Sequence, residues 1–139
     1  MFTLTRESTL TPEELWRRLA ALDEHADPVP LTTTIADPGP PAAGWRFTAR
    51  TALGPLRFDD SMLVEEWDPP RRWRVRKQGF LKGWAEAEVT PVAGGSRLTW
   101  TEELWFELPG LTWLTRRAGD LLGPLIFGPV VNRLARAER

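Results

Sequence analysis

Gly83-Trp-Ala-Glu-Ala-Glu-Val-Thr-Pro-Val-Ala-Gly-Gly-Ser-Arg-Leu-Thr-Trp100 is the stretch on which the fold turns. Small or apolar residues alternate with polar ones up to Pro91, Gly94-Gly95 reverses the chain, and alternation resumes from Arg97 to Leu108. This is the pattern of two antiparallel strands joined by a hairpin, each with one face buried. Ala85, Ala87 and Val89 take the inner positions of the first strand; Leu98, Trp100, Leu104 and Phe106 take those of the second.

The same two-residue period continues upstream. Trp45, Phe47, Ala49, Thr51 and Leu53 alternate with Arg46, Thr48 and Arg50, and Gly54-Pro55 turns the chain into Leu56–Trp67. There Phe58, Asp60, Met62 and Val64 share a face, and Asp68-Pro-Pro70 leads into Arg72–Gln78, with Trp73 and Val75 inward. Leu31–Ala36 is β-prone, and Phe2–Glu7 alternates as a first strand. Between them Thr11-Pro-Glu-Glu-Leu-Trp16 starts a helix: Thr11 caps, Pro12 suits the first helical position, and Glu14 sits at capping-box spacing. That helix is expected to reach Leu22 and to give way to a short irregular or helical connection, Asp23–Pro30, which carries His25. Downstream of Pro109-Gly110, residues 111–138 have helical spacing, with Leu111, Leu114, Ala118, Leu121, Leu122 and Leu125 apolar. Gly123-Pro124 and Gly128-Pro129 interrupt it, which predicts a kinked helix or two helices meeting there.

Composition narrows the chemistry. The 139 residues include eight Trp and one His but no Cys and no Tyr. Disulfides, thiolate nucleophiles, cysteine zinc sites and phenolic acids are therefore excluded, and no metal site or cofactor is expected. The net charge of −1 leaves no basic field for nucleic acid. Residues 1–70 carry six Arg and twelve acids, whereas residues 71–139 carry ten Arg, two Lys and seven acids. Complementary pairing of the halves is the expected result. Leu121–Val131, the longest apolar stretch, is about half the ~20 residues needed to cross a bilayer. Met1–Arg6 lacks the pattern of a signal peptide, so the cytoplasm is the expected compartment.

This order (strand, helical pair, six further antiparallel strands, long C-terminal helix) resembles the helix-grip fold of the START and birch-pollen-allergen-related superfamily, SRPBCC. The resemblance is to its polyketide cyclase/dehydrase-like bacterial members in particular. It spans nearly the whole chain, and its most specific pieces are Thr11–Trp16 and Pro91–Trp100. The chain departs from many members in lacking tryptophan-proline character in Asp23–Pro30 and in the Gly-Pro breaks of its last helix. The resemblance implies a single α+β domain over residues 1–139, with a curved antiparallel sheet of about seven strands wrapped around the last helix. It also implies an apolar cavity between them for a hydrophobic small molecule: a lipid, a polyketide-like compound or an isoprenoid.

The residues expected to line that cavity are Trp45, Phe47, Phe58, Met62, Trp73, Trp100, Leu104, Leu121 and Leu125. The alternative is that these side chains fill a closed core. Asp60, Lys77 and Glu102 share the inner parity, where a charge is costly unless paired. Lys77, beside a glycine turn, reads as a strand-end side chain turned to solvent. Asp60 and Glu102, at mid-strand, remain open between pairing and acid/base catalysis of cyclisation or dehydration, with His25 as a further candidate base. Arg72, Arg74 and Arg76 face outward with Asp59, Glu65, Glu86 and Glu88 available as partners, so they read as a solvated ion-pair face. Trp67, Trp84 and Trp105 fall on the outer parity and would mark a homodimer or partner surface. The readings that compete are a ligand-binding protein, a cyclase-like enzyme and an interaction module without ligand.

Overall fold

The alternating stretches pair into one seven-stranded antiparallel sheet, seen in a computed structural model that describes residues 1–25 and 29–136. Its strands are β1 (Phe2–Ser8), β2 (Thr32–Ala36), β3 (Arg46–Leu53), β4 (Leu56–Asp68), β5 (Arg72–Gln78), β6 (Leu81–Val92) and β7 (Gly95–Phe106). The order across the sheet is β1-β7-β6-β5-β4-β3-β2, so each hairpin partner lies beside its neighbour and only β1 makes a long-range closure. Helix α1 (Pro12–Ala20) follows β1, and a 3-10 turn at Leu22–Glu24 ends the pair. Residues 26–28 of the expected connection, and residues 137 and 138 of the last helical stretch, lie outside the described residues. Thr11 Oγ1 accepts a hydrogen bond from the Glu14 amide at 3.2 Å, the expected cap.

Helix α2 (Thr112–Ala135) runs as one helix through Pro124 and Pro129 and packs on β7 and β1. The leucines expected on its gripped face are on the outside: Leu121 is 74% exposed and Leu125 75%, with Leu122 and Ile126 also exposed. The buried row is Gly119, Gly123, Val131 and Ala135, with Phe127 half-buried at the same four-residue spacing. The reason is close approach. A Cβ on Gly123 would stand 2.0 Å from the Phe2 ring, and one on Gly119 would stand 2.4 Å from the Leu104 carbonyl oxygen. Leucine does not fit where the helix backbone comes this near to the Phe2 ring and to the backbone of β7. An apolar pattern that runs all round the helix has no face to reveal this.

A bulge in β4 corrects a second expectation. Val64 pairs with Val75 but Glu66 pairs with Arg74, so one extra residue shifts parity downstream. Trp67 consequently turns from the outer to the inner side, half-buried with its ring 5.2 Å from that of Trp16. The same bulge sets Glu65 and Glu66 both against outer arginines: Arg72 meets Glu66 and Glu86 at 2.8 Å, and Arg76 meets Glu65 at 2.9 Å. Arg74 pairs with Glu65 and Glu86 and lies over the Trp84 ring at 4.4 Å. Arg116 covers Trp105 at 4.1 Å. The two tryptophans that stay on the outer side thus each carry a guanidinium.

Candidate functional site

The inner face of the sheet is uneven because its sequence is. Strand β6 offers Gly83, Ala85 and Ala87, while the flanking strands offer Trp73 and Val75 on β5 and Trp100 and Glu102 on β7. Gly83 has a positive φ of 131°, and a Cβ there would stand 1.9 Å from the Glu103 carbonyl oxygen, so only glycine fits. Small residues down the middle and large ones beside them leave a cavity of about 220 Å³. Phe47, Met62, Trp73 and Trp100 wall it from the sheet, Leu22 and His25 from the 3-10 turn, and Phe127 and Val130 from α2. It is smaller than the ~300–1,000 Å³ of drug-sized sites and suits a one- or two-ring molecule.

Three charges converge in this cavity. Lys77 is fully inward: β5 has the expected bounds, Arg72–Gln78, and its alternation holds to the end, so the expectation that the side chain turns to solvent is overturned. Its ammonium lies 2.8 Å from Asp60 Oδ2 and 3.9 Å from Glu102 Oε2, with the Met62 sulfur at 3.8 Å and the Phe127 ring at 6.0 Å. The side chains of Lys77 and Glu102 are only 4% and 1% exposed. Glu102 sits two strands from Lys77, and the bare Gly83 and small Ala85 on the intervening strand let the lysine reach toward it. Glu102 Oε1 accepts the Trp100 indole N–H at 2.9 Å. Asp60 Oδ1 and Glu102 Oε2 have no hydrogen-bond partner among the described residues.

Burial pushes the Glu102 carboxyl above its ordinary range; Lys77 and the Trp100 N–H pull against that rise and Asp60 adds to it. For Lys77, burial works against the ammonium, but Asp60 and Glu102 outweigh it and hold the group above its ordinary value. The result is a charged lysine beside a carboxyl that gives up its proton reluctantly. His25 closes the group, its ring 6.3 Å from Trp73 and 6.4 Å from Trp100. Its Nε2 donates to the Arg18 carbonyl at 3.2 Å, since a carbonyl only accepts, which leaves Nδ1 as the acceptor of the neutral ring. Burial lowers its pKa despite that bond, so the imidazole is neutral at pH 7. Among the described residues no three His, Asp or Glu side chains converge as a metal site.

The site therefore brings together Asp60, Glu102, His25, Phe47, Met62, Trp73 and Trp100 of the expected set. The others fall elsewhere. Leu121 and Leu125 point away on the outer side of α2. Trp45 is buried against Phe47, ring centroids 5.4 Å apart, outside the cavity wall; its N–H donates to the Asp37 carbonyl. Phe58 is 38% exposed and meets Phe80 edge-on at the open end of the sheet. Leu104 is half-buried under Gly119, spent on seating the helix. Among the lining residues outside the expected set are Lys77, Phe127 and Val130. The unbroken alternation Trp73, Val75, Lys77 carries the signal for the first; the other two need the helix face.

Comparison with solved structures places the same architecture in other proteins. The chain is similar to TTHA0849 from Thermus thermophilus, at 16% identity and a TM-score of 0.73 over 96% of this chain and 92% of that one. Ara h 8.0201 matches at 13% identity and 0.68, over 96% and 95%. The Zhui aromatase/cyclase from Streptomyces sp. R1128 matches at 13% identity and 0.66, over 94% and 85%. These are likenesses of fold, the helix-grip fold. No curated protein matches the sequence. Among the described residues, no helix is long and apolar enough to cross a membrane. The profile described as polyketide cyclase / dehydrase and lipid transport matches residues 1–131, and the chain belongs to that family.

Proposed function

We propose that the protein binds a hydrophobic, ring-containing small molecule in the cavity between its sheet and α2. The observation that carries this reading is an aromatic-walled space of about 220 Å³ in which three charged side chains, Asp60, Lys77 and Glu102, meet at one place. Apolar walls supply affinity through burial, and a few convergent polar groups fix orientation. Trp73 and Trp100 stand in the wall, so their fluorescence reports occupancy. A panel of one- and two-ring aromatics is expected to quench it saturably. Ala49→Phe, which fills the cavity from β3, should abolish saturation while leaving the melting transition cooperative. Equal quenching in both proteins would count against a cavity site. Native mass spectrometry of protein from its own host would then identify any co-purifying molecule.

A second reading, a cyclase- or dehydratase-like enzyme, is favoured by the Lys77–Glu102 pairing. A carboxyl with a raised pKa beside a buried ammonium is suited to giving and taking a proton at an enolising carbonyl. On this reading Asp60 and Glu102 act as acid and base on a poly-β-ketone. Asp60→Asn and Glu102→Gln, both folded, should each lose turnover of such a substrate, and retained turnover in both would eliminate it.

A further inference from the structure

The arginines on the outer face of β5 all have acidic partners, whereas two inner oxygens lack a hydrogen bond among the described residues. Asp60 Oδ1 and Glu102 Oε2 are buried in the cavity wall and have no hydrogen-bond partner among the described residues. Buried polar atoms are nearly always satisfied, so such a pair marks where a ligand's polar end belongs. The character of the two atoms decides what that end is. Asp60 offers an acceptor. Glu102 offers an acceptor when ionised and a donor when protonated, since its other oxygen is committed to the Trp100 N–H.

The charge sum narrows it further. Lys77 brings one positive charge, Asp60 and Glu102 bring between one and two negative charges, and His25 facing them is neutral. The cluster is neutral or negative in either state of Glu102. A carboxylate ligand would meet two acids across one lysine that Asp60 already holds at 2.8 Å. Burying that extra anion is unfavourable. A bare hydrocarbon would leave both oxygens unanswered. A hydroxyl donates to Asp60 Oδ1 and accepts from a protonated Glu102 Oε2, which answers both atoms; beside an ionised Glu102 its single proton answers one of them.

We infer that the cavity selects ring compounds bearing a hydroxyl, a phenol or cyclic alcohol, and rejects the corresponding carboxylic acids. This rests on the cavity-binding reading above and adds the chemistry of its polar end.

The test compares 2-naphthol, 2-naphthoate and 2-methylnaphthalene by calorimetry on the full chain at pH 7, where the phenol keeps its proton. The expected result is 2-naphthol bound at least tenfold tighter than either of the others. The Asp60→Asn/Glu102→Gln variant leaves Lys77 as the one charge, and should reverse the order so that 2-naphthoate binds best. Naphthoate bound by the wild type as tightly as naphthol would overturn the inference while leaving the cavity intact. So would an unchanged preference in the folded double variant. Binding of none of the three would sink the cavity reading itself. If the double variant does not fold, the wild-type comparison of the three probes decides alone.

Discussion

Strand β5 carries charge on both faces, and the two faces treat it differently. Outside, Arg72, Arg74 and Arg76 interleave with Glu65, Glu66 and Glu86 in a partly exposed ladder, and each charge has at least one opposite neighbour within 3.3 Å. Inside, Lys77 stands among Asp60 and Glu102 with its chain buried, one contact short and one long, and two oxygens left over. Ion pairs on a wet face form because water screens mistakes and costs little. A buried cluster must be held by the fold against desolvation, so its persistence on an apolar wall points to use rather than to stability.

The sharpest way to break this contrast is to remove the inner cation. Lys77→Met leaves two acids facing each other in the cavity wall and should cost about 3–5 kcal/mol at pH 7. Urea unfolding would measure it, and a cost under about 1 kcal/mol would mean the inner cluster is as solvated as the outer ladder.

Glu102→Gln sharpens the contrast through pH. Glu102 titrates above its ordinary 4.5 in the folded chain, so the folded state binds more protons than the unfolded one between those values. The stability this contributes is complete below pH 4.5 and is lost as pH rises through the raised folded value. Lys77, held above its ordinary 10.5, stays charged throughout that window. The variant, relative to wild type, should therefore gain stability as pH rises from 4.5 through the raised folded value in paired unfolding curves. A difference that does not change with pH would show that Glu102 titrates as a surface acid.

The smallest effect belongs to the outer face. Arg74→Ala removes contacts to Glu65, Glu86 and the Trp84 ring, yet should cost only about 0.5–1 kcal/mol. Most of that should vanish in about 1 M salt, where the screening length is about 3 Å. A salt-independent loss of several kcal/mol would erase the distinction between the faces.

Much of this contrast is legible in the residues alone. Period-two alternation places the strands, the outer arginines of β5 and the inward Asp60 and Glu102, because a half-buried strand writes its burial directly into sequence. Three features resist. The β4 bulge adds a residue with no compositional mark, and Trp67 changes sides with it. Lys77 has the inward parity of Arg72–Gln78 yet reads as turned to solvent because Gly79 follows so soon; the alternation in fact holds to the end of the strand. The gripped face of α2 is hidden because glycine contributes no hydrophobicity; its role emerges only when the helix backbone closes on the Phe2 ring and the Leu104 carbonyl within a methyl group's width.

That seam of Gly119 and Gly123 has a consequence for how such a cavity diversifies. Where the helix rests is set by bare backbone against Phe2 and Leu104, while the roof over the ligand space is built farther along by Phe127 and Val130. Phe127 serves both ends, since its ring also stacks on Phe2 at 6.2 Å, whereas Val130 belongs to the roof alone. Exchanging Val130 for a smaller or larger side chain should resize the chamber while leaving the Gly119 and Gly123 contacts in place. At that position, selection on chamber shape is uncoupled from selection on staying folded.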